Sequence, residues 1–591
     1  MQFPSTHKHV MKDGGILAKL KGREPWLVLR RPAVAAIFFI ASSALAVDLT
    51  ISGSGVTENF SSGTTNFGSI SIGETSDSTS NTVNILGATT AVNAATNVWV
   101  GNNGPSNALM ISSGGLLADS IGYLGVATTS ANNTVTVTGS NSTWSNEGIY
   151  VGYAGSHNSL TIAAGGTVTG TNGNTALGQF ASSGNNQASV TGTNSLWDVS
   201  GALITGYSGS TNTVVVSNGG RIQVAANNLI GFLSGAIGNS VLVTGSNSTM
   251  TTAGTTFAGY QGSGTLTVED SAQVSGNFVV GYETGSSGTI TVNGTSGSRG
   301  ILSAGTVTRG NGTGAFVLDG GILQATGNST AFVAGFGSGN FTLGSRDGYV
   351  DSNGKNVTIG NVISGAGGLI KQGAGTLTLG TAGSPLTQAY TGTTTVSGGT
   401  LIINGTSNVP TTVQSGAILG GNATVGNLTI TGGTLSPGNS PGIINSDSLS
   451  LDSISTLHVE LSGNTASPVA GTNYDQANVS GSVSLGSASL TLVELGDYSF
   501  VENSLFFIVG NDGSDSILGT FAGLGQNSVF YVGGNAYQIS YAGNLATLSF
   551  SGGNDVVLMA IPEPSTCLLL VSAVGFLFSF RAKSPRCTPL D

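Results

Sequence analysis

Short stretches of alternating polar and apolar residues dominate the chain between about residue 50 and residue 555. In Thr134–Thr138 threonine alternates with valine, a pattern that puts all the apolar side chains on one face of a β-strand. The same strand-and-turn pattern returns in four passages: NTVTVTGSNSTW (133–144), NQASVTGTNSLW (186–197), NSVLVTGSNSTM (239–250) and GTITVNGTSGSR (288–299). Such strands predict an all-β protein in which apolar faces meet in a shared core.

The glycines of these passages recur at a nearly constant spacing. They follow one another after 53, 53 and 49 residues: Gly139, Gly192, Gly245 and Gly294. A second series is spaced by 51, 54 and 53 residues: Gly101, Gly152, Gly206 and Gly259. A period near fifty residues built from short strands is typical of a β-solenoid or a β-propeller. Because the copy lengths drift, which a closed ring tolerates poorly, we expect a solenoid with two coils of about 25 residues per repeat and with Gly and Asn at its corners.

Composition and charge narrow the class of protein. Charged residues are only 7% of the chain, whereas glycine contributes 95 residues, a bias that suits strands and tight turns better than disorder. Residues 47–560 contain six Lys or Arg and 23 Asp or Glu, a net charge of −17. A surface so acidic repels phosphates, so we expect no nucleic-acid partner.

The N-terminal residues 1–46 predict a signal peptide. Seven basic residues lie in the first 31 positions, and the apolar run AVAAIFFIASSALA (33–46) follows them. It ends with Ala44 and Ala46, the small residues that signal peptidase requires beside its cleavage site. Either Met1 or Met11 is the start of this signal, and the chain is expected to leave the cytoplasm.

The C-terminal residues 561–591 combine a proline-rich turn, an apolar segment and a basic end. Pro562 and Pro564 flank Glu563 and prevent a helix from extending backward. Cys567 to Phe580 carries no charge and predicts a short transmembrane helix of about 21 Å, against a hydrocarbon core of about 30 Å. Basic residues after it favour the cytoplasmic side and would stop transfer: Arg581, Lys583 and Arg586.

Residues 364–404 resemble the autotransporter-associated β-strand repeat. The matching positions of its G-x-G-x-L-x-K-x-G-x-G-T-L-x-L core are Gly365, Gly367, Leu369, Lys371, Gly373, Gly375, Thr376, Leu377 and Leu379. The second half is matched by Tyr390, Gly392, Thr394, Val396, Gly399 and Leu401. This resemblance implies a right-handed parallel β-helix displayed outside the cell.

The tail resembles the PEP-CTERM sorting signal, which the membrane protease exosortase processes. The resemblance implies that Pro562, Glu563 and Pro564 are recognised. It also implies a chain held briefly at the inner membrane and then released to the envelope, cell surface or extracellular matrix. Two alternatives stay open: a C-terminal anchor that is never cleaved, and an autotransporter adhesin that has lost its membrane domain.

Few residues of the body are candidates for chemistry. His157 lies in a turn, and His458 with Glu460 would share one strand face as two possible metal ligands. The densest charges are Arg346, Asp347, Asp351 and Lys355, which favour a structural turn over a calcium loop or a catalytic pair. Trp144, Trp197 and Met250 occupy equivalent repeat positions, where packing is favoured over a sugar-stacking platform.

These observations predict a non-enzymatic, exported solenoid with a structural or adhesive role in an exopolysaccharide or biofilm, with no cofactor and no metal. Signal peptidase and exosortase are its expected partners during export, and exopolysaccharide or neighbouring cells afterwards. The alternative is a β-helix polysaccharide lyase or hydrolase. The expected divisions are 1–46 (signal peptide), 47–305 (repeat solenoid), 306–440 (autotransporter-associated repeat region), 441–560 (C-terminal β region) and 561–591 (sorting tail).

Overall fold

The computed structural model describes residues 16–19, 27–29, 47–512 and 515–562. Every regular element among these residues is a β-strand, and none is a helix. The chain divides into two compact units, Met1–Thr395 and Val396–Asp591, which are described separately below. The expectation of an all-β protein is confirmed for the described part of the chain.

The first unit is a parallel β-solenoid in which a typical coil contributes three strands. The first strands form one sheet of fourteen successive, parallel neighbours. They are Thr57–Phe60, Thr82–Leu86, Ala108–Ser112, Thr134–Thr138, Ser159–Ala163, Gln187–Thr191, Thr213–Ser217, Asn239–Val243, Ser263–Val268, Ser287–Thr295, Thr313–Asp319, Phe341–Leu343, Ser364–Gly365 and Ala389–Tyr390. With strands about 4.8 Å apart, these coils extend over roughly 65 Å.

The second and third strands of each coil follow the same parallel order, and in some coils they are continuous. They are Val47–Ile51, Gly63–Ile72, Thr90–Ala94, Asn97–Val100, Leu116–Ala118, Ile121–Leu124, Thr143–Asn146, Gly148–Val151, Thr167–Gly170, Thr175–Leu177, Leu196–Val199, Leu203–Thr205, Arg221–Val224, Asn228–Ile230, Thr249–Ala258, Gln273–Val280, Ile301–Arg309, Ile322–Ala325, Ser329–Ala334, Gly348–Asp351, Lys355–Ile359, Leu369–Gln372, Gly375–Leu379, Leu386–Thr387 and Thr394–Val396. Two short strands, Ile16–Lys19 and Leu27–Leu29, are antiparallel to each other, and the first also pairs with Val47–Ile51.

The register explains the period near fifty residues. Val135 pairs with Leu160, which lies 25 residues later, and Leu160 pairs with Ala188, 28 residues further on. One sequence repeat is therefore two coils, as the glycine spacing predicts. Val135 and Val137 are fully buried, whereas Thr134, Thr136 and Thr138 of the same strand are not, so the alternating pattern places the core as expected.

The corner after each first strand needs a left-handed backbone. Gly139 has φ of 89° and Asn141 has φ of 64°, values that glycine and asparagine tolerate best. The fourth copy departs from this geometry because Gly294 lies within the strand Ser287–Thr295, which folds back antiparallel onto Ser298–Arg299. A short hairpin thus replaces the corner at this coil.

A continuous ladder of buried asparagines lies at the corner before seven consecutive first strands, from Thr82–Leu86 to Asn239–Val243. At six successive steps between coils, the backbone N–H and the Nδ2 of one asparagine donate to the Oδ1 of the next, at 2.8–3.2 Å. The members are Asn81, Asn107, Asn133, Asn158, Asn186, Asn212 and Asn239. From Asn107 onward, a glycine of the preceding coil makes room for each carboxamide: a Cβ at Gly125, for example, would lie 2.2 Å from Asn158 Nδ2.

The second unit begins with shorter parallel coils and ends in an antiparallel sheet. Its strands are Thr400–Ile403, Gly405–Ser407, Thr411–Val413, Ile418–Gly421, Ala423–Ile430, Thr434–Pro437, Ile443–Leu451, Thr456–Leu461, Gln476–Val479, Val483–Ser484, Ser489–Glu494, Leu505–Asn511, Val529–Val532, Asn535–Gly543 and Asp555–Ile561. Asp555–Ile561 pairs antiparallel with Leu505–Asn511 on one side and with Asn535–Gly543 on the other. The solenoid pattern therefore gives way to hairpins at this end.

Candidate functional site

The predicted export signals lie almost wholly outside the described residues. Pro562 is described and is exposed, directly after the last strand. The other signal residues are outside the described ranges: Ala44, Ala46, Glu563, Pro564, Arg581, Lys583 and Arg586. A search of the described residues for a long apolar helix, of the kind that spans a membrane, found none.

The charged segment 346–355 is occupied by structural contacts. The guanidinium of Arg346 donates to Asp319 at 2.6 Å, and Asp347 Oδ1 accepts the N–H of Gly368 at 2.7 Å. Asp351 accepts from the N–H of Asn353 at 2.8 Å and from Gln324 Nε2 at 3.1 Å. These acidic side chains hold turns and neighbouring coils together, in agreement with the structural interpretation of this segment.

The two candidate histidines, His157 and His458, lie on different elements of the structure. His157 has φ of 58° and is exposed at a corner, as predicted. His458 and Glu460 do share the half-buried face of Thr456–Leu461, and His458 Nδ1 lies 3.3 Å from Ser436 Oγ. Among the described residues, no group of three or more His, Cys, Asp or Glu side chains could hold a metal ion.

The two recurring tryptophans are core residues. Trp144 and Trp197 are 0% and 1% exposed, and Met250 occupies the same column two coils after Trp197. Trp144 Nε1 donates to Asp119 Oδ1 at 2.6 Å. Burial raises the pKa of this carboxyl to about 7, although the hydrogen bond from Trp144 partly opposes the shift. Packing, and not a sugar-stacking platform, is the role of Trp144 and Trp197.

A different set of aromatic side chains is accessible, and the sequence analysis missed it. Ten partly or fully exposed rings follow the third strand of successive coils and the corner after it, and we call them the aromatic strip. Its members are Trp99, Tyr123, Tyr150, Tyr153, Phe180, Tyr207, Phe232, Phe257, Tyr260 and Tyr282. Several directly follow a corner glycine, as in GYAG, GYSG and GYQG, so the signal was present in the repeats.

The register of the coils produces the strip. Trp99, Tyr123 and Tyr150 are direct partners on parallel strands, and the last two rings stack at 5.3 Å. Tyr260 and Tyr282 likewise stack at 4.9 Å. Between the two groups the strip continues over a buried apolar cluster of Ala176, Ile204 and Leu229. Stacking of this kind strengthens the contact between coils.

The hydroxyls of the strip are free for another partner. No tyrosine of the strip uses its hydroxyl in a hydrogen bond to another described residue. Burial raises the pKa of Tyr123 and of Tyr150, so both keep their protons and remain donors at neutral pH. Only five charged residues occur between positions 121 and 282: Glu147, Asp198, Arg221, Glu269 and Asp270. The strip is thus an aromatic, hydroxyl-bearing and nearly uncharged surface.

Farther along the first unit, the side chain of Lys371 stabilises the turn that follows the strand Leu369–Gln372. Its side chain is fully buried, and Nζ donates to the carbonyl oxygens of Gln372 and Gly373 at 3.0 and 2.8 Å. Burial lowers its pKa to about 8, an effect that the nearby Asp351 partly offsets.

Residues 369–403 match the passenger-associated-transport-repeat family. No curated protein matches the chain.

Within this transport repeat, the residues that resemble the autotransporter-associated motif have structural roles. Tyr390 is 3% exposed, and its hydroxyl forms a hydrogen bond with Thr394 Oγ1 at 2.7 Å. Gly373 has φ of 70°, and a Cβ there would also collide with Asp351 Oδ1, so glycine is strongly favoured beside the Lys371 turn. The match covers a small part of the chain. Together with the β-solenoid, the transport repeat indicates an exported structural or adhesive protein.

Proposed function

We propose that this protein is a non-catalytic, exported β-solenoid that contacts an extracellular polysaccharide through the aromatic strip. The aromatic strip carries the proposal, because partly exposed rings with free hydroxyls suit a ligand that has both C–H faces and hydroxyl groups. The carboxylates considered for catalysis serve as turn and coil contacts, which favours a structural role over hydrolysis.

We further propose that the tail is a sorting signal cut by exosortase, after which the body stays at the cell surface or in an exopolysaccharide matrix. The last strand is paired up to Met559 on one side and up to Ile561 on the other, and Pro562 next to it is exposed. Cleavage beyond this point would leave the second unit's sheet intact. Mass spectrometry of the mature protein is expected to place its C-terminus near residue 564, whereas a retained tail would contradict processing.

Binding is tested with the mature exported protein and the producing cell's own exopolysaccharide. Replacing Tyr153, Tyr207 and Tyr260 by leucine should weaken retention at least about tenfold, because stacking is lost at three coils. The same three changes to phenylalanine isolate the contribution of the hydroxyls. Tyr531→Leu, at a 59% exposed tyrosine of the second unit, is the matched control and should bind normally.

Two results would contradict the proposal. Unchanged retention of the triple leucine variant would show that the strip does not bind the polymer. Release of new chain ends from the polymer, abolished by Asp347→Asn or Asp351→Asn, would instead favour the lyase or hydrolase alternative.

A further inference from the structure

We propose that a polar groove around Arg221 binds an acidic sugar of a polysaccharide, through a carboxylate or sulfate group. The groove lies on the second strands of the coils, whereas the aromatic strip follows the third strands. It encloses about 490 Å³ and is lined chiefly by Arg221, Asn247, Thr249, Thr251, Gln273 and Ser275. The inference deepens the proposed function, because it names the chemical class of polymer.

The groove is formed by residues that are direct partners on neighbouring parallel strands. Arg221 pairs with Thr249, Thr249 with Gln273, and Gln273 with Ile301, so four successive coils contribute one outward position each. Thr251 and Ser275 form the adjacent column on the same face. Three steps between strands extend the groove over about 14 Å along the stacking direction, which suits an elongated ligand.

The hairpin that interrupts the corner pattern contributes to one end of this groove. Ser271 belongs to the lining, and its hydroxyl lies 3.3 Å from the hydroxyl of Ser298 in the hairpin strand Ser298–Arg299. The earlier coils have a plain glycine corner at the equivalent place, as at Gly139 and Gly192. The groove therefore coincides with the coil at which the repeat changes its geometry.

Arg221 is the charge that gives the groove its preference. It is the sole Lys or Arg between positions 47 and 298, and only two acidic residues, Glu147 and Asp198, occur between positions 121 and 268, so its positive charge acts in a sparsely charged part of an otherwise acidic body. Its side chain is exposed and makes no hydrogen bond or ion pair with any other described residue. By contrast, Arg299 donates to Gly320 O and to the hydroxyl of Tyr349. A free guanidinium in a concave site is a fitting partner for a carboxylate or sulfate.

The rest of the lining favours a sugar over a peptide. Hydroxyl and amide groups predominate, and Ile301 is the one aliphatic side chain among the lining residues. Gln273 Nε2 donates to Ser303 Oγ at 2.9 Å and Ser275 Oγ donates to Thr251 Oγ1 at 3.2 Å, so the lining is held in place. Peptide sites instead need apolar pockets or a free strand edge, and these parallel strands are paired on both sides.

The test uses the full mature protein and four probes: polygalacturonate, dextran sulfate, neutral dextran and free galacturonate. The protein is expected to bind at least one acidic polymer more tightly than dextran, with an affinity that falls as salt rises. Arg221→Gln should weaken this binding at least about tenfold, because a charge-assisted hydrogen bond is lost. Arg221→Lys should retain part of it, since the charge remains but the planar fork does not.

Lys355→Gln is the matched control, because it removes the same charge from a different place in the first unit and should bind normally. Binding of free galacturonate as tight as that of the polymer would show a small-anion site and overturn the polymer claim. Equal binding of dextran, absence of binding to both acidic polymers, or an Arg221→Gln variant like the wild type would overturn the inference. The triple leucine variant of the strip tests the proposed function separately, so failure of one proposal does not imply failure of the other.

Discussion

Because the asparagines of the ladder are hydrogen-bonded from coil to coil, we expect the side-chain amide of a single asparagine to stabilise its own coil and both neighbouring coils. Asn158 Oδ1 accepts both the backbone N–H and the Nδ2 of Asn133 at 2.9 Å, and its own Nδ2 donates to Asn186 Oδ1 at 3.1 Å. Asn158→Ala would leave two buried donors of Asn133 without an acceptor. Each such donor costs about 1–3 kcal/mol, so the variant should lose roughly 2–6 kcal/mol of stability.

The assay combines denaturant unfolding followed by circular dichroism with hydrogen exchange at the Asn133 amide. Exchange at this amide should accelerate at least about thirtyfold, which corresponds to the lower end of that range. Asn84→Ala is the matched control, because Asn84 Nδ2 donates to Asn59 Oδ1 at 2.8 Å in an exposed asparagine pair. The control should change stability by less than about 0.5 kcal/mol. Equal effects of the two variants would refute the argument that burial of the ladder creates its stability.

Two further predictions concern the buried Asp119–Trp144 pair. In the folded protein Asp119 has a pKa of about 7, whereas an aspartate in the unfolded chain has a pKa of about 4. Because the folded state holds this proton more tightly, the free energy of unfolding decreases as the pH rises from about 4 to about 7. Asp119→Asn should therefore reduce the loss of stability between pH 5 and 8, measured by denaturant unfolding at both pH values. A Cβ at position 122 would lie 2.3 Å from the Trp144 ring, so Gly122→Ala should cost about 1–3 kcal/mol in the same assay. An unchanged pH profile or a neutral alanine variant would contradict these contacts.

Much of the fold could be predicted because its determinants are local. The alternation in Thr134–Thr138 predicts which face is buried, and the period of Gly139 and Gly192 predicts the coil length. What the repeats do not reveal is the contact between coils. The fit of a glycine such as Gly125 beneath Asn158 depends on register, which spacing along one chain does not specify.

The candidate sites were less accessible to sequence reasoning. Trp144 and Trp197 are candidates from the sequence because tryptophan is rare in this chain and the two recur at equivalent positions, yet both are buried in the core. Tyr153 follows a corner glycine, and only the stacking of coils turns such residues into a surface. The sequence shows Arg221 as an isolated positive charge. That it lines a groove becomes evident only from the stacking of four coils.

The corner ladder also bears on how such a chain can lengthen during evolution. Each asparagine inside the ladder is hydrogen-bonded to the coil before it and to the coil after it, always in the same direction. Duplicating any whole number of coils inside the ladder would therefore restore every amide contact at the new junctions, whereas a duplication that ends within a coil would leave a buried carboxamide without its partner. The ladder thus permits growth of the first unit by segments of about 25 codons, of which the sequence repeat of about fifty residues contains two.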